Sequence, residues 1–120
     1  MVHYSKNFTD IDFPIGIPHQ DFLAKLQASR DEYGQVMVIT RGGSTPEHNS
    51  DVGGKKDSAH LLNHDGRFRA VDISCVISHD RFKMLPILLR HFSRIGVYPA
   101  HLHVDDDPDK PQGVVWVGDD

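Results

Sequence analysis

The chain has 120 residues, 38% of them hydrophobic and 25% charged, a globular balance that argues against a wholly disordered segment. Thirteen Lys and Arg against 17 Asp and Glu leave a formal net charge of −4 and no basic run, which disfavours a binder of nucleic-acid phosphates. The single Cys75 rules out an intrachain disulfide framework, and no apolar run approaches the roughly 18 residues that span a membrane.

The opening MVHYSKNFTDIDF lacks the apolar stretch of a signal peptide, so synthesis and folding in the cytoplasm are expected. No repeat, low-complexity segment or linker divides the chain, and one domain over residues 1–120 is expected. Residues 1–18 carry Pro14, Gly16 and Pro18 in quick succession and read as an extended lead-in that wraps the surface. From about His19 to Tyr33, an apolar stripe of Phe22, Leu23, Leu26 and Tyr33, stopped by Gly34, predicts an amphipathic helix. Val36 to Thr40 has strand composition and no helical period, which predicts a buried strand. Arg41 to Lys56 is rich in Gly, Ser, Pro and Asn and reads as a long loop of the kind that carries function.

Ala70 to Ile77 alternates, with Val71, Ile73 and Cys75 on one face and Asp72, Ser74 and Val76 on the other. Ser78 to Ile95 predicts a second helix, capped by Ser78, with Asp80 in its first turn and Phe82, Leu85, Leu89 and Phe92 as its core face. Pro86 should kink this helix or mark its proper start, and Gly96 ends it. Two short strands, Ala100 to Val104 and Val114 to Val117, complete the chain. The order predicts an α+β fold, a small single domain with a mainly antiparallel sheet and flanking helices.

Nine histidines direct attention to metal or acid–base chemistry. In Ala100-His101-Leu102-His103-Val104-Asp105, strand alternation projects His101, His103 and Asp105 together, with Leu102 and Val104 on the opposite face. Three metal-capable groups backed by an apolar face suit a zinc or transition-metal site. His60 and Asp72 offer an imidazole and a carboxylate, and with one more histidine they make three ligands. That count leaves a fourth tetrahedral position for water, the catalytic rather than the structural pattern.

Other polar residues have plainer readings. His19, His79 and His91 belong to the surface of helices, and His48 bonds within its own loop. Gly53-Gly54 lacks the Lys-Ser/Thr of a phosphate loop and reads as a turn that delivers Ser58 to His60. The Ser58 hydroxyl is expected to cap or orient its own loop. The acidic run Asp105 to Asp109 lacks EF-hand spacing and reads as a solvated loop. Trp116 is expected in the core or a pocket wall, and Cys75 as a small buried hydrophobe.

The segments ITRGGSTPEHNSDVGGKKDSAHL, GRFRAVDI and HLHVD follow in one order. Together, over Phe22 to Asp105, they resemble the zinc D-alanyl-D-alanine carboxypeptidase family. That family includes bacterial D,D-peptidases and phage L-alanyl-D-glutamate endopeptidases, and hedgehog signalling domains share its fold. The resemblance implies Zn2+ bound by His60, Asp72 and His103, with His101 as the catalytic base and Asp105 as the alternative base or as a carboxylate that orients His103. It implies peptidoglycan stem peptide as substrate, bound in part by Arg41 and Ser58, and no nucleic-acid or membrane partner. A cell-wall target then calls for release by lysis or with a virion.

Two departures from the family pattern bear on these assignments. Eleven residues separate His60 from Asp72, more than in the family, and the surplus around Asn63 to Arg67 reads as a hairpin-like insertion that makes His64 a rival ligand. His60 is favoured because Ser58 and Leu61 match around it. The family's substrate arginine aligns with Ser44, leaving Arg41, Arg67 or Arg69 to replace it, and no glutamate precedes His103 by three residues. The alternative function is therefore a non-catalytic zinc-containing binding or phage structural module of the same fold.

Overall fold

In the computed structural model, which describes residues 1–119, the chain runs β1 (Ile17–Pro18), α1 (Gln20–Tyr33), β2 (Ile39–Arg41), α2 (Pro46–Asp51), β3 (Arg67–Phe68), β4 (Ala70–Ser74), α3 (Ser78–His91), β5 (Arg94–Val97), β6 (His101–Asp105) and β7 (Val114–Val117). Five strands form one sheet in the order β2-β4-β6-β5-β7, and β1 pairs with β3 in a separate two-stranded ribbon. Within the large sheet only β5 and β7 are parallel; the other pairs are antiparallel. The fold is a small α+β domain with α1 and α3 packed together on one face of a mostly antiparallel sheet.

Alternation explains the two central strands. Val71 and Ile73 of β4 and Leu102 and Val104 of β6 are fully buried against the helices, which sends Asp72, His101 and His103 to the opposite face. Helix α1 begins where His19 Nδ1 accepts from the Asp21 N–H at 3.3 Å. It ends where Gly34 takes φ 74°, a left-handed cap that a side chain would strain. Phe22, Leu26 and Tyr33 of the expected stripe are buried, and Leu23 packs at its margin.

The lead-in does more than wrap the surface. Phe8 and Phe13 are 1% exposed and join an aromatic row that runs through Phe68 and Phe22 to Phe92, with ring centroids 5.2–6.4 Å apart. The expected buried strand at Val36 to Thr40 shrinks to Ile39–Arg41 at the sheet edge, with Val36 and Val38 facing solvent and Met37 buried. The long loop contains α2, whose N-cap Thr45 accepts from the His48 N–H and whose first residue is Pro46, a position that needs no N–H donor.

Helix α3 runs through Pro86, which therefore does not mark its start and sits exposed where solvent can bond the carbonyl left without an N–H partner. The helix corrects three further expectations. Its cap is Ile77 with no side-chain bond, so Ser78 does not cap it. Its core face is Met84, Ile87 and Leu88, with Leu85 at the margin, while Phe82 is 78% exposed and Leu89 is also exposed. Apolar residues occupy two adjacent helical faces, so periodicity alone does not select the one that meets the sheet. The helix ends at His91 rather than Ile95, and Arg94–Val97 is a strand that the helical reading absorbed.

The rotated face is measurable by urea denaturation. Leu88→Ala should cost about 2–5 kcal/mol of stability, whereas Phe82→Ala should change it by less than about 0.5 kcal/mol. The opposite ranking would restore the helix face expected from the sequence.

Candidate metal centre

One cross-strand row lays out the centre. Arg41 of β2 is the register partner of Asp72 on β4, Asp72 of His103 on β6, His103 of Gly96 on β5, and Gly96 of Trp116 on β7. Directly opposed residues share a face of the sheet, so these groups meet over the surface turned away from the helices. His60 stands outside the row and arrives from the loop after α2. That loop is tied to the sheet by the Ser44 N–H donating to His60 O at 2.8 Å and the Leu62 N–H donating to Ser44 O at 3.0 Å.

One ligand-capable atom each from His60, Asp72 and His103 lies within 4.8 Å of the others. Asp72 Oδ1 is 3.2 Å from His60 Nε2 and 2.9 Å from His103 Nδ1. The outward nitrogens fix the tautomers. His60 Nδ1 lies 2.8 Å from Gly42 O, and since a carbonyl only accepts, Nδ1 carries the proton and Nε2 presents a lone pair. His103 Nε2 likewise donates to Asp105 Oδ2 at 2.7 Å, which turns Nδ1 inward. Three electron-pair donors thus converge on one point, and this donor set, two imidazoles and a carboxylate with the imidazoles oriented from behind, fits a zinc ion.

Asp105 is fully buried and both its oxygens are engaged. Oδ2 accepts from His103, and Oδ1 accepts from Arg94 Nε at 2.7 Å and from the Asp107 N–H at 3.1 Å. It stands behind His103, hydrogen-bonded to the nitrogen that points away from Asp72. His101, by contrast, lines the open cleft, with Nε2 3.7 Å from Asp72 Oδ2.

The cleft above the row has a volume of about 620 Å³ and holds Arg41, Ser58, Lys55, Tyr98, Lys110 and Trp116 on its walls. The Arg41 guanidinium is anchored by Nε and Nη2 to Ser44 Oγ, at 3.3 and 3.2 Å, and by Nη2 to Asn49 Oδ1 at 2.7 Å. Ser44 stands where the family pattern has its arginine, so Arg41 delivers a guanidinium to that neighbourhood from three residues upstream. Ser58 Oγ accepts from the His60 N–H at 3.2 Å, and His48 Nδ1 bonds Ser44 Oγ at 2.8 Å.

Several candidates stay outside. The insertion turns back on itself, with the Asn63 N–H donating to Arg67 O at 2.8 Å, and carries His64 out to a side-chain exposure of 90% beside Asp65. Arg67 and Arg69 do not line the cleft, and Arg69 pairs with Asp106 at 2.9 Å. Asp106 also takes Lys25 at 3.0 Å, so the acidic run is partly neutralised rather than simply solvated. Arg94, Tyr98 and the Gly42 carbonyl were not legible in the sequence. Reading Arg94–Val97 as a strand would have placed Arg94 and Gly96 on the histidine face by their spacing of two.

The electrostatics follow from the contacts. Burial pushes the Asp72 carboxyl up, but in the metal-free protein its contacts with the His103 and His60 imidazoles outweigh it and hold the group well below its ordinary value. Asp105 is also lowered, because His103, the Asp107 N–H and Arg94 overcome its burial. Burial lowers His60 more than Asp72 raises it. For His103 burial is outweighed by Asp105 and Asp72, and its pKa is raised. Burial lowers Arg41, with Asp72 opposing. In the metal-free protein, carboxyls with depressed folded values contribute stability above about pH 4 that is lost as pH falls through them. His60, depressed as a base, takes up its proton more readily on unfolding, so acid acts in the same direction below about pH 6.5. The raised His103 adds stability that is constant below that pH and declines above it. The urea midpoint of the metal-free protein should therefore fall steadily from about pH 6 to pH 3; a flat profile would contradict these contacts.

No curated protein matches the chain significantly. No helix among the described residues is long and apolar enough to cross a membrane. The family model described as Peptidase M15 matches residues 4–105, a span that takes in β1 to β6 and all three converging side chains. The chain belongs to the Peptidase M15 family.

Proposed function

We propose that the protein is a zinc-dependent peptidase that cleaves stem peptides of peptidoglycan, at a D-alanyl-D-alanine or an L-alanyl-D-glutamate bond. The observation that carries this reading is the convergence of His60 Nε2, Asp72 Oδ1 and His103 Nδ1 on one point at the floor of an open cleft. Membership of a peptidase family supports the reaction class, and the resemblance to cell-wall peptidases supports the substrate. Three protein ligands leave a coordination position for reactants.

When bound there, zinc supplies Lewis acidity toward a peptide carbonyl and lowers the pKa of water toward neutrality. His101 Nε2 accepts the proton of the attacking water and returns it to the leaving amine nitrogen. Arg41 holds a carboxylate or carbonyl oxygen of the peptide, its guanidinium pre-oriented by Ser44 and Asn49. Ser58 fixes the His60 segment from the cleft wall. Asp105 and Arg94 keep His103 Nδ1 turned inward.

Mass spectrometry of the purified protein should find about one zinc per chain, lost in His60→Ala and His103→Ala and kept in His64→Ala. On soluble stem peptides, His101→Ala should lower kcat about 10²- to 10⁴-fold. Arg41→Ala should lower kcat/KM about 10²-fold. A protein that takes up zinc yet cleaves no stem peptide would support the non-catalytic module; one that takes up none would refute both.

A further inference from the structure

The turn between β5 and β6 contains a built aromatic arrangement beside His101. The Tyr98 N–H donates to His101 O at 3.1 Å, which closes the turn. The Tyr98 ring lies face to face with the His101 imidazole, centroids 4.5 Å apart and planes 10° from parallel. Trp116 Nε1 donates to Tyr98 Oη at 2.9 Å. The Arg94 guanidinium stands 4.9 Å from the centre of the Trp116 ring. Arg81 Nη2 donates to Tyr98 O at 2.6 Å and anchors the turn from outside the cleft.

Two glycines make room for this arrangement. A Cβ on Gly96 would stand 2.7 Å from ring atoms of both Trp116 and Tyr98, and one on Gly118 would overlap the Tyr98 ring. Neither glycine has positive φ, so the requirement is space and not backbone freedom. Meanwhile His101 Nε2 is too far from Asp72 Oδ2, at 3.7 Å, for a hydrogen bond to fix the ring. An imidazole at the end of a strand has two rotatable side-chain bonds, and stacking on a held aromatic face selects among its orientations.

We propose that Tyr98, clamped by Trp116 and admitted by Gly96 and Gly118, is the positioning residue for His101. The proposal rests on His101 acting as the base. Tyr98 acts on the reaction by holding the imidazole, so its loss should reduce turnover and leave substrate binding nearly intact.

The test compares Tyr98→Leu, Tyr98→Phe, His101→Ala and the double variant Tyr98→Leu/His101→Ala as zinc-loaded proteins on a soluble stem peptide. Tyr98→Leu should lower kcat about 10- to 100-fold with KM within about twofold and with zinc content unchanged. Tyr98→Phe keeps the stacked ring and should recover most of the loss. In the His101→Ala background, Tyr98→Leu should cost nothing further. NMR of the metal-free protein gives a readout independent of activity. The His101 ring protons should lie upfield in the natural protein and in Tyr98→Phe, and move to the position of an exposed histidine in Tyr98→Leu. If Tyr98→Leu does not fold, Trp116→Phe, which removes the indole N–H, should show the same kcat loss at smaller amplitude. Full kcat in Tyr98→Leu, an equal loss with and without His101, or an unmoved His101 shift would each overturn the proposal. Full kcat in His101→Ala would instead sink the base assignment, and the proposal with it.

Discussion

Asp72 faces His103 across the β4–β6 ladder, and every other group of the centre is placed relative to that pair. The side-chain period of a strand is two, so a slip of one residue would turn Leu102 and Val104 into the cleft and the histidines into the core. The opposite face prevents it. Val71, Ile73, Leu102 and Val104 are completely buried there, and exposing four such side chains costs about 6–12 kcal/mol. That is as large as the whole stability expected of a domain this size. The hydrophobic core thus sets the register, and the register sets the geometry of the facing Asp72 and His103.

The charges on the cleft face alternate in sign. Arg41 stands beside Asp72, His103 lies between Asp72 and Asp105, and Arg94 closes the series on Asp105. Buried ionic chains of this kind contribute little to stability over a well-packed apolar alternative, because desolvation offsets much of the attraction. Their presence in a fold this small is explained by what they orient. Each proton and lone pair is assigned by the next partner outward, down to the Gly42 carbonyl behind His60. The same chain links the centre to the cleft wall, because Arg94 serves both Asp105 and the face of Trp116.

Departures from the family pattern are absorbed by geometry. The long spacing between His60 and Asp72 is accommodated because the surplus turns outward at Gly66, φ 74°, and passes through β3 of the small ribbon before entering the sheet as β4. His60 is held by backbone bonds of its own segment to Ser44, so the insertion does not pull on it. Ser44, where the resemblance places the family's arginine, receives Arg41. Both cases involve a side chain reaching one place by two routes, which linear alignment does not reveal.

The set His60, Asp72 and His103 came from the resemblance to a known family, while alternation and spacing were enough to read the α+β class, the central strands and the first helix with its Gly34 stop. Those features rest on local periodicity and on residue chemistry, which a linear chain displays directly. Assembly settled the rest. Which face of α3 is buried depends on the sheet it meets, not on its own apolar content. Phe8 and Phe13 sit in the core because the lead-in crosses Phe68, a contact between residues far apart in the chain. Both oxygens of Asp105 are engaged because Arg94 and His103 enclose it, and Tyr98 meets His101 only because β5 is a strand and not the end of a helix. In each case the deciding partner is distant in sequence, and propensity and periodicity carry no information about it.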